Sequence, residues 1–130
     1  MAIPIQDQVV PLAESKRLKE LGVKQESYFT WVNSPVRGMV CGIKNEMTDM
    51  LENFSAFSVA ELGIMIGGGY YTFPHDDGSF ACYKFGAYMG DTMLLKSDFP
   101  TEAQSRAALL IHLIENKILS VDEVNKRLAA

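Results

Sequence analysis

The spacing of apolar side chains along the chain predicts short helices that alternate with strands. Residues 13 to 22 are rich in strong helix formers, and Leu18 and Leu21 lie three positions apart, which is typical of an amphipathic helix. This helix is predicted to end at Gly22, because glycine readily adopts the left-handed conformation found after a helix. Residues 1 to 12 show no helical period and are expected to form an extended arm along the domain.

Two β-hairpins are predicted where aromatic and β-branched runs flank turn residues. In the first hairpin, the run "ESYFTWV" is followed by the turn "NSPVRG" and by the returning strand "MVCGI". In the second, "YYTF" and "SFACYKF" flank "PHDDG", in which Asp77-Gly78 is a strong hairpin signal. Together the hairpins predict one small, mostly antiparallel sheet.

Three short sequences mark predicted helix starts. "SVAE" from Ser58 and "TEAQ" from Thr101 have the form of a capping box, in which two side chains satisfy free amides of the first helical turn. "SVDE" from Ser120 has the same form. We therefore predict a helix over residues 59–66, a long helix after Thr101 and a C-terminal helical hairpin.

The long helix carries a continuous apolar stripe, which indicates the side that faces the core. The stripe comprises Ala103, Ala107, Leu110, Ile111, Ile114 and Ile118. Leu109 and Leu113 widen the apolar area beyond it, which indicates either a neighbouring helix of the same chain or a contact with another subunit. His112 lies nearly opposite the stripe and is expected at the surface.

The pattern leaves residues 44 to 57 open. Met47, Met50, Leu51 and Phe54 recur at helical spacing, but the segment is short for a helix and a loop fits as well. With the other elements, the chain is predicted to be a single α+β domain over residues 1–130, with its sheet packed against three or four helices.

Charge and composition narrow the class of partner. The formal net charge is −4 and the isoelectric point is about 5.1, so nucleic acid is not an expected partner. The sequence contains neither a long apolar stretch nor the features of a secretion signal, which predicts a cytoplasmic protein without a membrane partner. The spacing of cysteines and histidines matches no metal motif, and no cofactor is expected.

The glycine triplet at 67–69 resembles a phosphate-binding loop only in composition. A phosphate loop precedes a helix, whose N-terminal amides then point at the anion, whereas this triplet follows a predicted helix and precedes a predicted strand. The triplet is therefore interpreted as the end of one element and a bend into the next.

A few residues are candidates for chemistry or recognition. His75, Asp76 and Asp77 lie at the predicted tip of the second hairpin, where they could form an acid–base group or a weak cation site. Cys41 or Cys82 could pair with His75 as a nucleophile, but neither has a local catalytic signature, so packed thiols are expected.

The density of aromatic residues along the strands indicates a surface for a partner or a second copy, with Trp31 and Tyr83 as candidates beside Leu109 and Leu113.

Three segments, "SKRLKELGVKQESYFTWV", "SAFSVAELG" and "EAQSRAALLIHLIENKILSVDEVNKRL", cover about half of the chain. In this order they resemble a group of small uncharacterised proteins encoded by phages and prophages of gut bacteria. The resemblance implies a phage-associated intracellular protein, and no functional residue follows from it, because the group has no assigned activity.

Three functions remain open from the sequence. The preferred one is a non-enzymatic accessory protein that acts through protein contacts, with a homodimer as one form. The alternative is a small enzyme or ligand-binding domain with a site around residues 67–83. The third, a helix-turn-helix regulator that uses residues 59–66, is disfavoured by the acidic charge and by the strands that flank this helix.

Overall fold

A computed structural model defines the fold over residues 4–86 and 90–129, with the backbone alone described at residues 96–98. After a 3₁₀ turn at Ile5–Asp7, the described elements are α1 (Leu12–Glu20), β1 (Phe29–Ser34), β2 (Gly38–Ile43), α2 (Glu46–Asp49), β3 (Asn53–Ala56), α3 (Val59–Ile66), β4 (Tyr70–Pro74), β5 (Phe80–Lys84), β6 (Thr92–Phe99), α4 (Glu102–Glu115) and α5 (Val121–Ala129). This order confirms the predicted α+β class, both hairpins and the C-terminal pair of helices.

The strands form two antiparallel sheets of three strands each, where one sheet was predicted. The first sheet has the order β2-β1-β3 and the second the order β4-β5-β6. The difference arises because β3, in the segment that the sequence left open, pairs with the second side of β1, while β6 pairs with the second side of β5. β1 and β5, the central strands of the two sheets, therefore have partners on both sides, so neither can pair with a strand of the other hairpin.

Local capping explains where the helices begin. Ser58 Oγ accepts from the backbone N–H of Glu61 at 3.2 Å, and Glu61 Oε1 accepts from the N–H of Ser58 at 2.9 Å, so the predicted capping box of α3 is present. At α4, Thr101 Oγ1 accepts from the N–H of Gln104 at 3.1 Å. Side-chain caps of this kind typically stabilise a helix by about 1 kcal/mol.

The core lies around α4, which contacts α1, α3 and the second sheet. Leu109 is 1% exposed and Leu113 is fully buried, in the same cluster as Leu110 and Ile114. The prediction that Leu109 and Leu113 belong to an interaction surface is therefore wrong: elements of the same chain cover them. Ile118 was predicted in the core but is 57% exposed, because α4 ends at Glu115 before the stripe reaches it.

The N-terminal arm is packed against the first sheet. Val9 and Val10 are fully buried, and the backbone N–H of Val10 donates to the carbonyl of Phe57 at 2.9 Å. Trp31 Nε1 donates to the carbonyl of Val10 at 2.7 Å. The arm is thus held by backbone and side-chain hydrogen bonds as well as by burial.

The end of α3 brings the chain into the second sheet. Gly67 follows the helix with φ of 78° and ψ of −168°, a region of backbone space that is essentially restricted to glycine. Arg127 of α5 donates from Nη1 to the carbonyls of Met65 and Ile66 at 2.9 and 3.0 Å. The glycine triplet is therefore a bend, as predicted, and a guanidinium from another helix satisfies the last carbonyls of α3.

Candidate functional site

The predicted ligand residues lie at the tip of the β4–β5 hairpin. The turn is closed by backbone hydrogen bonds from His75 to Ser79 at 2.8 Å and from Gly78 to His75 at 2.9 Å. Asp77 accepts from the hydroxyl and the backbone N–H of Ser79, and these bonds lower the pKa of Asp77. Asp76 and Asp77 are exposed, so the structure places this group outside any enclosed cleft.

The candidate aromatic residues make contacts within their own chain. The Tyr83 ring stacks on Tyr71 with centroids 5.2 Å apart, and its hydroxyl lies 3.5 Å from Nε2 of His75. Trp31 is half-buried and holds the arm through its indole N–H. Both residues contribute to folding, and each keeps part of its surface accessible.

The two cysteines are free and differ in accessibility. Cys82 is fully buried, its thiol donates to the carbonyl of Ser105 at 3.1 Å, and burial raises the pKa of Cys82 to about 11. Cys41 is half-buried, and burial raises its pKa as well. Neither thiol therefore has the lowered pKa that marks an activated nucleophile.

The edge of the first sheet at β2 offers main-chain groups to a partner. Within the described residues, β2 pairs with β1 alone. The N–H of Lys44 donates to the carbonyl of Tyr28 at 2.9 Å, which fixes the phase of the alternating antiparallel ladder. The N–H and carbonyl groups of Met39, Cys41 and Ile43 consequently point away from β1.

The other sheet edges are less suited to pairing. On β3, the outward N–H of Ser55 is occupied by Gln25 Oε1 at 2.7 Å. The edge strand β4 ends in Pro74, which has no N–H, and the sequence of β6 contains Lys96 and Asp98. Charges and proline protect sheet edges from pairing, and β2, with the sequence "GMVCGI", contains neither.

Exposed apolar side chains follow β2 directly. Ile43 is 54% exposed, and Met47 and Met50 in and after α2 are 76% and 85% exposed. Tyr28, which pairs with Lys44 beside the end of β2, is 62% exposed. This group, here called the β2 apolar end, consists of large side chains of the kind enriched in protein interfaces.

A wide groove of about 680 Å³ lies where the N-termini of α3 and α4 meet. Its lining includes the capping residues Ser58 and Thr101, the aromatic residues Phe29 and Phe80, and the acidic residues Asp7 and Glu102. The groove therefore lies between the two sheets. Its two capping hydroxyls already accept hydrogen bonds from backbone N–H groups in the first turns of α3 and α4.

Comparisons with protein-family models, with curated proteins and with solved structures find no match to this chain. Over residues 4–86 and 90–129, no three or more His, Cys, Asp or Glu side chains are grouped so that they could hold a metal ion. None of the described helices has both the length and the apolar character needed to cross a membrane.

The candidate that sequence reasoning missed is the β2 edge. The signal was present in "GMVCGI", a strand of six residues that lacks charge and proline, but a sequence does not show which strand of a sheet lies at its edge. The position of β3 on the far side of β1 is what leaves β2 outermost.

Proposed function

We propose that this chain is a non-enzymatic accessory protein that associates with a second copy of itself by pairing β2 with β2. The unpaired, uncharged edge of β2 is the observation that carries the proposal. In keeping with the sequence resemblance, we place the protein among phage-encoded accessory proteins, which an examination of the genes beside its own would test.

The outward groups of β2 match each other about a twofold axis. If two β2 strands pair antiparallel with Cys41 opposite Cys41, Met39 of each copy lies opposite Ile43 of the other. All three outward residues then fall in hydrogen-bonded positions, because they share the same phase in each strand. The β2-β1-β3 sheets of the two copies would then join into one continuous sheet of six strands. The interface would be isologous, with the same residues contributed by each copy.

Charge also favours this register. Within the strand no like charges meet, since β2 has none. Just before the strand, Arg37 of one copy lies opposite Asn45 of the other and next to Glu46, the first residue of α2, so the nearest charges beyond the strand are opposite in sign at both ends. Lys44 falls opposite Gly38, so it meets no cation.

A lysine on the β2 edge tests the proposal. Ile43→Lys places a charge at an outward position, where it should disfavour pairing and give a monomer. The control is Val36→Lys, which adds the same charge in the β1–β2 turn at a residue that is 89% exposed and lies opposite Glu46 of the other copy in this register, so it should not oppose pairing. Light scattering after size-exclusion chromatography should report a dimer for the parent and for Val36→Lys, and a monomer for Ile43→Lys.

A cross-link through Cys41 tests the register. In a hydrogen-bonded antiparallel pair, the two Cα atoms of Cys41 would be about 5.5 Å apart, which lies within the range of disulfides. Mild oxidation at alkaline pH should yield a covalent dimer that persists in Cys82→Ala and disappears in Cys41→Ser. A monomer at all concentrations, or a covalent dimer that survives Cys41→Ser, would rule out this mode of association.

A further inference from the structure

A small cleft separates the end of α3 from β4 and α4. It has a volume of about 200 Å³, and its lining includes Gly63, Ile66, Tyr70, Thr72, Arg106 and Leu109. We call it the Thr72–Arg106 cleft. It involves neither the β2 edge nor the hairpin tip, although Gly67, Tyr70 and Tyr71 of the glycine-rich stretch contribute to it.

Two buried polar atoms at this cleft have no hydrogen-bond partner among the described residues. They are Oγ1 of Thr72 and Nε of Arg106. Buried polar groups are almost always satisfied in folded proteins, because leaving them unpaired is costly. The two atoms belong to separate elements that line the same cleft, which makes this cleft the candidate for a polar ligand.

The guanidinium of Arg106 is held in place by its other nitrogens. Nη1 donates to the carbonyl of Val59 at 3.3 Å, and Nη2 lies 3.7 Å from Oε1 of Glu102. Gly63 provides the space, since a Cβ at this position would lie 2.8 Å from Nη1. The group is therefore positioned in advance, and its Nε–H is left without a partner.

Thr72 presents its side chain from the strand toward α4. Its register partner on β5 is Cys82, whose thiol donates to Ser105 of α4, so this face of the second sheet is turned to that helix. Because Gly69 and His75 are hydrogen-bonded to the β5 side, the N–H of Thr72 points away from β5. Thr72 thus contributes a hydroxyl to the cleft and a main-chain donor to the open edge of β4.

We propose that the Thr72–Arg106 cleft binds a small monocarboxylate with a short apolar tail. A carboxylate accepts hydrogen bonds at both oxygens, which suits the Nε–H of Arg106 together with the hydroxyl of Thr72. Ile66, Tyr70 and Leu109 also line the cleft, where they can contact a short apolar tail. A single guanidinium in an acidic protein favours a monoanion over a phosphate dianion.

Butyrate is the probe for this proposal, with butyramide as the neutral isostere. For the full chain, sodium butyrate should raise the thermal midpoint progressively through the millimolar range, relative to sodium chloride at the same ionic strength. Butyramide should not raise it. Thr72→Val keeps the shape and removes the hydroxyl, and Arg106→Lys keeps the charge and removes Nε, so each should weaken butyrate binding about tenfold.

Two controls separate a binding site from a purely structural role. Thr72→Val should leave the midpoint without butyrate unchanged or raise it, because the substitution removes an unpaired buried hydroxyl. Arg17→Lys alters an exposed arginine of α1 and should keep full butyrate affinity.

Three results would overturn the proposal. They are equal midpoints in butyrate and chloride, full butyrate affinity in Thr72→Val, and an equal response to sulfate or phosphate. The first would mean that the cleft holds only water, the second that the hydroxyl takes no part, and the third that the site does not select carboxylates.

Discussion

At the scale of single residues, Tyr71 and Asp91 connect the ends of the second sheet. The hydroxyl of Tyr71 in β4 donates to Asp91, which immediately precedes β6, and Asp91 also accepts from the N–H of Gly86 at 2.9 Å. The hydrogen bond to Asp91 is the main cause that raises the pKa of Tyr71 to about 12, and the same bond lowers the pKa of Asp91. The Asp91 carboxylate therefore links Gly86, which follows β5, to the edge strand β4.

We expect Tyr71 to ionise at a higher pH than an ordinary tyrosine. Its folded-state pKa lies above its unfolded value of about 10, so its contribution to stability is complete below that pH and is lost as the pH rises through about 12. The difference in tyrosinate absorbance between the parent and Tyr71→Phe should therefore have its midpoint near pH 12. In Asp91→Asn the midpoint should fall toward about 10, and a parent difference already centred there would contradict the assignment.

Single residues show where sequence reasoning succeeds and where it stops. The role of Ser58 was predictable because its partner, Glu61, is three positions away and the capping box is a local pattern. The position of Thr72 and Arg106 at one cleft was not predictable, because it depends on how α4 packs against β4 and on the space that Gly63 leaves. The burial of Leu109 and Leu113 depends in the same way on how many elements surround α4.

At the scale of elements, the end of α3 is specified by Gly67 and by Arg127 from α5. A Cβ on Gly67 would lie 2.7 Å from Nη1 of Arg127, in addition to the strain of a side chain at its positive φ. At Gly68, the next residue, an added Cβ would have no heavy atom within 4 Å outside its chain neighbours, and φ is not positive. The two adjacent glycines therefore form a matched pair for substitution.

We expect Gly67→Ala to lower the free energy of unfolding by about 1–3 kcal/mol, which is the usual cost of a side chain in this backbone region. Gly68→Ala should change it by less than about 1 kcal/mol, or increase it, since alanine restricts the unfolded chain. Urea denaturation followed by circular dichroism measures both. Equal losses in the two variants would show that the conformation of Gly67 and its contact with Arg127 are not the cause.

The elements themselves were predicted with uneven success, for a physical reason. Helices and hairpins with local signals, such as the turn at Asp77-Gly78, appear where the sequence placed them. The segment from 44 to 57 became a short helix and a strand because Asn53–Ala56 gains hydrogen bonds from β1, a partner distant in sequence. That strand pairing, together with the pairing of β6 with β5, gives two three-stranded sheets and leaves β2 at an edge.

At the scale of the whole molecule, association must overcome the net charge. Each copy has a formal charge of −4, so two copies repel one another at long range, and salt screens this repulsion. The proposed interface avoids adding to the repulsion, because β2 is uncharged and the β2 apolar end lies beside it. Moderate salt should therefore strengthen a β2–β2 dimer, whereas an interface made mainly of ion pairs would be weakened.

A dimer of this kind links stability to protein concentration. If unfolding separates the two copies, mass action raises the thermal midpoint of the parent by roughly 2–3 °C for each tenfold increase in concentration, given the usual unfolding enthalpy of a chain of this size. Ile43→Lys should have a midpoint that does not depend on concentration, and Val36→Lys should behave as the parent does. Differential scanning calorimetry over a hundredfold range of concentration measures this slope. A flat midpoint in the parent across that range would mean that β2 remains an unpaired edge in solution.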